Sequence, residues 1–323
     1  MQRRQFLQRA AAAGASLALA APALAQSGQT IRIIYPFGAG SAGDGLGRLM
    51  ADALRQATSK TVVFENRTGA EGKLGTRAVI TAPPDGNTIL FTPFAPIVIH
   101  PAAFDDLGYD PFIALQPITQ VSRFEFAMSS SLSVPADTLK DTMAWLRANP
   151  DRASFGVTGS TGLPFFTAKL VASMEGVDAK PVVYRGAAQV LSDVVGGHIP
   201  LASSPASEVG EMYRTKKLRV LATSGPQRSK ALPDVPTYKE LGYDVVADAW
   251  YALYVPAGTS NDIVKEYNRI FVLAIHGAEG RALIQRLEME PAGTTPEGLG
   301  QIQRDAFQRW SGPIRQFRTI EKK

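Results

Sequence analysis

Residues 30–44 read TIRIIYPFGAGSAGD, and this stretch indicates how the chain folds. Its first six residues form an apolar, β-branched run that predicts a strand. A glycine-rich loop follows, and beyond it Leu46, Met50 and Leu54 recur at the spacing of one helical face. A strand that leads through such a loop into a helix presents free backbone N–H groups at the helix start. These groups bind anions such as phosphate or carboxylate.

The middle of the chain repeats this arrangement. Residues 154–157 predict a strand, residues 158–162 read TGSTG, and a helix is predicted from there to about Glu175. The second loop is not a P-loop, because no Gly-Lys-Ser/Thr follows it. Two anion-receptive helix starts, one in each half of the chain, indicate a ligand held between two lobes.

Short strands alternate with amphipathic helices along the rest of the chain. Further strands are predicted at 61–64, 88–91, 181–184 and 218–222. Residues 245–255 predict an extended crossing segment, and the chain is predicted to be helical from about Asn261 onward. This alternation predicts an α/β protein with mainly parallel sheets.

The composition is that of an ordinary globular protein, and it excludes several kinds of site. The 323 residues are 45% hydrophobic and 20% charged, with no cysteine, so disulfides and thiol catalysis are excluded. The histidines at 100, 198 and 276 lack the spacing of metal ligands. Neither Ser41 nor Ser160 has the GxSxG spacing of a serine nucleophile. We therefore predict no catalytic residue, no metal and no cofactor.

Residues 1–25 read MQRRQFLQRAAAAGASLALAAPALA and predict a signal peptide. A basic start, an apolar stretch and a small-x-small site ending at Ala25 follow in order. The arginine pair resembles a twin-arginine signal, with general secretory export as the alternative. We predict a periplasmic protein cleaved near Ala25. Removal of the three arginines in this segment lowers the net charge from +5 to +2, which gives no reason to expect nucleic acid as a partner.

A second interpretation of the first loop is a dinucleotide site. Gly38, Gly40 and Gly43 match GxGxxG, and Glu65 ends the next strand where the fingerprint has its acid. Pro36 lengthens the loop beyond the usual spacing, because proline cannot donate to a sheet ladder. An exported NAD(P)-dependent oxidoreductase is therefore the alternative to a carboxylate-binding protein.

Several motifs resemble, in the same order, those of Bug-type receptors, the extracytoplasmic solute-binding proteins of tripartite tricarboxylate transporters. The residues from Pro36 to Asp44 look like the motif PFxxGxxxD of this family. Four further segments resemble ENRPGAGGxxGT, PDGYTLL, LPDVPTxxExG and W…PAGT, and they lie at residues 65–76, 84–90, 232–242 and 250–259. Together they extend over nearly the whole chain after the signal peptide.

This resemblance implies the two-lobed architecture of type II periplasmic binding proteins. Each lobe is expected to be a mainly parallel sheet flanked by helices, and two crossing strands join the lobes. The expected boundaries are 26–122 plus 248–323 for lobe 1 and 123–247 for lobe 2. Such receptors are not enzymes. They deliver a small organic acid to permease subunits in the membrane, and we expect this one to be a monomer.

The two anion loops and the resemblance together predict a carboxylate site in the cleft between the lobes. Its predicted residues are Phe37, Gly38, Ala39, Gly40, Ser41, Ala42, Gly43, Asp44, Thr158, Gly159, Ser160, Thr161, Gly162, Phe165, Tyr184, Gly186, Ala187 and Ser204.

Three of the positions that differ from the family pattern bear on the ligand. Phe165 stands where the family often has histidine, and Pro200 and Ser204 stand where it has aspartates. The lost acids leave an ammonium group without a partner. They favour a carboxylate with an apolar or aromatic body over an amino acid. The added phenylalanines, Phe94, Phe165 and Phe166, favour the same ligand if they line the cleft. The alternative is that Phe165 and Phe166 face the core of the lobe.

Overall fold

The structure is a computed structural model that describes residues 30–184 and 186–321, with side chains to residue 317. The signal peptide predicted for residues 1–25 lies outside the described residues. Within them, no helix combines the length and the apolar character that crossing a bilayer requires.

The described residues form ten strands joined in a single sheet. The strands are β1 (Ile31–Tyr35), β2 (Val62–Asn66), β3 (Thr88–Pro93), β4 (Leu115–Ser130), β5 (Ser154–Val157), β6 (Lys180–Val183), β7 (Leu201–Pro205), β8 (Arg219–Thr223), β9 (Asp248–Pro256) and β10 (Glu290–Pro291). Their order is β2-β1-β3-β9-β4-β7-β5-β6, and β8 and β10 also pair with β4.

The helices lie between these strands and after them. They are α1 (Ala42–Thr58), α2 (Lys73–Ile80), α3 (His100–Ala103), α4 (Pro111–Ala114), α5 (Leu139–Ala148), α6 (Leu163–Met174), α7 (Ala187–Val195), α8 (Ala206–Arg214), α9 (Asn261–His276), α10 (Ala278–Arg286) and α11 (Pro296–Glu321). A π-helical turn, Ala95–Ile99, precedes α3, and 3-10 turns lie at Ala70–Gly72 and Pro150–Arg152.

The sheet has two parallel parts joined by two long strands. β1 pairs in parallel with β2 and β3, and β5 pairs in parallel with β6 and β7. Each antiparallel pair of named strands includes β4 or β9. Residues 115–125 of β4 pair with β9, whereas residues 126–130 pair with β7 and β8. The two-lobed α/β architecture is thereby confirmed, with β4 and β9 as the crossing strands.

Helices cover both faces of this sheet and bury its apolar side chains. In lobe 1, Leu46 and Met50 of α1 and Phe271 of α9 are fully buried in one cluster with strands β1 and β3. The C-terminal helix α11 contributes Trp310 and Ile314 to a second cluster. Because α11 contacts α3, β4 and α6, its apolar face packs against elements of both lobes.

The ends of several helices follow from local sequence. Ser41, Thr138 and Ser260 cap α1, α5 and α9, since each side chain accepts a hydrogen bond from the N–H three residues later. The strand β10 was not predicted. It interrupts the C-terminal segment that was predicted to be helical and pairs with β4 through Arg123 and Ser122.

Candidate functional site

The first glycine-rich loop leaves the carboxyl end of β1 and enters α1. The Ser41 hydroxyl oxygen accepts a hydrogen bond from the Asp44 N–H at 3.2 Å and lies 3.1 Å from the Tyr35 hydroxyl. Residues 38–41 are exposed. Among the described residues, the backbone N–H groups of Gly38, Ala39, Ser41 and Ala42 have no hydrogen-bond acceptor. They are free to meet an anion at the start of the helix.

Asp44 organises this loop from inside the protein. The side chain is buried, and its carboxylate accepts hydrogen bonds from Asn66 Nδ2 at 2.9 Å and from the Gly40 N–H at 3.2 Å. Arg48 donates two more, at 3.1 and 3.2 Å. Burial alone would raise the pKa of Asp44, but the bonds from Arg48, Asn66 and Gly40 outweigh it and lower the pKa. Asp44 therefore holds the loop in place and is committed to protein partners.

Replacing Asp44 with asparagine should destabilise the protein by about 2 kcal/mol, because the Gly40 N–H and the Arg48 guanidinium lose a charged acceptor. Asp52→Asn is a matched control, since Asp52 is an exposed residue of the same helix, and its one ion pair among the described residues is with the exposed Arg55. Urea unfolding measures both variants. An equal effect of the two substitutions would show that Asp44 does not hold the loop.

Two tyrosines enclose the start of α1. A Cβ atom on Gly43 would lie 2.3 Å from the Tyr35 hydroxyl and 2.6 Å from a ring carbon of Tyr251. Glycine is therefore required at residue 43 by this close approach. Burial raises the pKa of Tyr35 and of Tyr251, so both hydroxyls stay neutral. Neither tyrosine was predicted as a site residue, because Tyr251 reaches the loop only through the pairing of β9 with β3.

The second loop, residues 158–162, lies between β5 and α6. Within the described chain, the backbone N–H groups of residues 159–162 have no acceptor. The Thr161 hydroxyl donates to Glu71 Oε2 at 3.1 Å. Glu71 lies between β2 and α2, so this bond joins loops of the two lobes. The neighbouring Gly72 packs against Phe37, whose ring would lie 3.0 Å from a Cβ there. The first loop and the loop at 158–162 thus adjoin through residues 68–75.

Glycines in these loops face open space. A Cβ atom built on Gly38, Gly159 or Gly186 meets no atom within 4 Å, and none of these residues has a φ in the left-handed range. Neither packing nor backbone conformation therefore requires glycine at these positions. Gly40 also faces open space, but its φ of +83° does favour glycine. The arrangement leaves room for a ligand to approach the backbone closely.

Tyr184, Gly186 and Ala187 connect β6 to α7, and all three are half-buried. The Tyr184 hydroxyl donates to Asp193 Oδ2 at 2.7 Å, and desolvation together with Asp193 raises the pKa of Tyr184 to about 12. Ser204 lies on β7 opposite Ala127, is 2% exposed, and its hydroxyl has no partner among the described residues.

Phe165 corrects the prediction of an apolar cleft. Its side chain is 1% exposed and packs against Phe155 and Phe166 in the hydrophobic core. Phe166 and Phe94 are also buried in this core. The first turn of α6 directs Phe165 and Phe166 inward, and Phe94, which follows β3, packs against Trp250 of β9. The sequence left open whether Phe165 and Phe166 line the cleft or face the core, and in the structure both side chains lie in the core.

Glu208 is an acidic residue near the site that the sequence did not single out. It lies in the first turn of α8, directly after β7, and is close enough to Tyr251 to raise the pKa of that tyrosine. Glu208 is exposed as a residue, but neighbouring groups exclude water from its carboxyl group. This desolvation raises the pKa of Glu208 to about 6. An acidic side chain therefore lies near Tyr251, at a position other than those of the missing aspartates.

Two lobes, two crossing strands and a pair of glycine-rich loops at helix starts are the architecture of a two-lobed solute-binding protein. Residues 46–319 match the family described as "Tripartite tricarboxylate transporter family receptor", and the chain belongs to this family. A relative from Cupriavidus necator, "UPF0065 protein in gbd 5'region", is 32% identical over 299 residues, with 90% of each chain covered.

Solved structures have the same fold. A TctC solute binding protein from Polaromonas, solved without ligand, has a TM-score of 0.77 and 25% identity, over 89% of this chain and 98% of that one. An R. palustris protein solved with adipate has a TM-score of 0.75 and 24% identity, over 88% of this chain and 95% of that one.

Membership in this family confirms the resemblance found in the sequence. The chain is a solute-binding receptor of the periplasmic type and not an enzyme, so the oxidoreductase alternative is wrong. The local structure gives a reason for the misleading fingerprint. Asn66, not Glu65, contacts the first loop, where its side-chain amide donates to the Phe37 carbonyl at 3.1 Å.

Proposed function

We propose that the chain captures an organic carboxylate between its two lobes and delivers it to the permease subunits of a tripartite tricarboxylate-type transporter. The observation that carries this proposal is the pair of helix starts in facing loops, each with unpaired backbone N–H groups. A carboxylate accepts hydrogen bonds at both oxygens, and the N-terminal ends of two helices favour its negative charge.

The proposed ligand site consists of residues 37–43, 158–162 and 186–187. Asp44 is not part of this set, because its carboxylate holds the first loop in place. Phe165 is left out because its side chain lies in the hydrophobic core. We keep the prediction of an acid with an apolar body, now on the strength of Pro200 and Ser204 alone. Adipate, the acid in the R. palustris structure, belongs to this proposed class.

The remaining proposals concern the organisation of the mature protein. Lobe 1 comprises 26–122 and 248–323, and lobe 2 comprises 123–247, with the boundaries inside β4 and at the start of β9. The signal peptide is removed near Ala25. The mature receptor works as a monomer and does not bind nucleic acid.

A thermal-shift panel tests the proposed function. Mono-, di- and tricarboxylates are compared with NAD and NADP under identical conditions. At about 100-fold excess over its Kd, a true ligand stabilises the folded state by about 2.7 kcal/mol. We expect this stabilisation with at least one carboxylate and with neither dinucleotide. Stabilisation by a dinucleotide, with none by any acid, would contradict the proposed function.

A further inference from the structure

Glu71 has a backbone conformation that is unfavourable for its residue type. Its φ is +57° and that of Ala70 is +48°, between Gly69 and Gly72, which also have positive φ. The left-handed region favours glycine, and glutamate there is strained. The chain thus keeps an acidic side chain where glycine would fit more easily, which calls for a specific reason.

The contact made by this side chain supplies the reason. Glu71 Oε2 accepts a hydrogen bond from the Thr161 hydroxyl at 3.1 Å, across the boundary between the lobes. Thr161 belongs to the loop whose backbone N–H groups are otherwise unpaired within the described residues. Glu71 is exposed and has no ion-pair partner among the described residues. Its charge therefore acts on this loop without a paired cation.

We propose that Glu71 is a specificity-determining residue that competes with the ligand for the second loop. This inference rests on the proposed function, because it assigns the same loop to the carboxylate of the ligand. Without a ligand, the carboxylate of Glu71 accepts the hydrogen bond of the Thr161 hydroxyl. A ligand carboxylate must displace it and then remain near a second negative charge. Acids with further carboxylates near Glu71 are disfavoured most.

Calorimetric titrations with adipate, malate and citrate test this role in the wild type, Glu71→Gln and Glu71→Gly. The glutamine amide keeps an oxygen that can accept from Thr161, so E71Q removes the charge and preserves the hydrogen bond. Glycine removes the side chain and suits the positive φ. Glu266→Gln is the matched control, since Glu266 is an exposed residue of α9, outside the candidate site.

We expect E71Q and E71G to bind the acids about fivefold to tenfold more tightly than the wild type, with the larger gain for citrate, which has the most carboxylates; this is the effect of one charge at about 4 Å in largely aqueous surroundings. The gain should shrink as salt is raised, because salt screens the repulsion. E266Q should match the wild type. Equal or weaker binding by both Glu71 variants, beside a wild type that binds an acid, would overturn this inference alone. Absence of acid binding in all four proteins would overturn the proposed function together with it.

Discussion

Replacing Gly159 with valine should abolish carboxylate binding while the protein stays folded. A Cβ atom at Gly159 meets no protein atom within 4 Å, and its φ lies outside the left-handed range, so valine fits without strain. The added side chain instead fills the space beside the unpaired N–H groups of residues 159–162. A ligand carboxylate can then no longer reach them, and we expect a loss of affinity of more than about a hundredfold.

Gly312→Val is the matched control. Gly312 also faces open space, but it lies on the exposed side of α11. Calorimetry with a carboxylate that stabilises the wild type measures the affinity of both variants, and thermal unfolding verifies that each folds. Retained affinity in a folded Gly159→Val protein would show that the second loop does not bind the ligand.

Acidification from pH 6.5 to pH 4 should cost the protein about 3 kcal/mol of unfolding free energy through His100 alone. His100 is 2% exposed, and burial, with a smaller effect of the positive charge of Lys73, lowers its pKa to about 4. Its ring packs edge-on against Phe104 at 5.3 Å, and its Nδ1 has no partner among the described residues. Within the described part of the chain, Nδ1 therefore has no hydrogen-bond acceptor that would stabilise the protonated ring.

The direction of this pH dependence follows from the protonation of His100 in the folded and the unfolded state. Below the ordinary histidine pKa of 6.5, His100 is protonated in the unfolded chain but stays neutral in the folded protein. The free energy of unfolding therefore falls with pH until the pKa of His100 in the folded state is reached. Urea unfolding of the wild type and His100→Gln between pH 4 and pH 7 measures this contribution. The variant should lose less stability on acidification. Parallel profiles for the two proteins would show that His100 does not carry the effect.

Local sequence patterns were sufficient for the parallel parts of the sheet. The strands at 31–35, 62–66 and 88–93 contain apolar, β-branched residues, the strand at 154–157 reads SFGV, and all four form within a few residues of the predicted limits. The helices that follow β1 and β5 begin where the glycine-rich loops end. These strands and helices could be predicted because their hydrophobic periodicity and their helix caps are features of the local sequence.

Other strands exist because of their neighbours. β4 is sixteen residues long, yet it contains Pro117 and a polar end at Ser129 and Ser130, and it was not predicted. It is held by pairing with β7, β8, β9 and β10 along its length. β7 reads LASSP and is formed of residues with little intrinsic preference for strands. Pairing partners distant in sequence decided both strands.

By itself, the sequence determined the class of fold, the positions of the two glycine-rich loops and the family, since these depend on short-range patterns and on motifs in a fixed order. Only the tertiary structure placed Phe165 in the core, committed Asp44 to Arg48 and Asn66, and brought Glu71 to Thr161. The physical reason is that the direction of a side chain and its partner depend on how separate elements pack. Glu71 and Thr161 are ninety residues apart, and no local pattern encodes their contact.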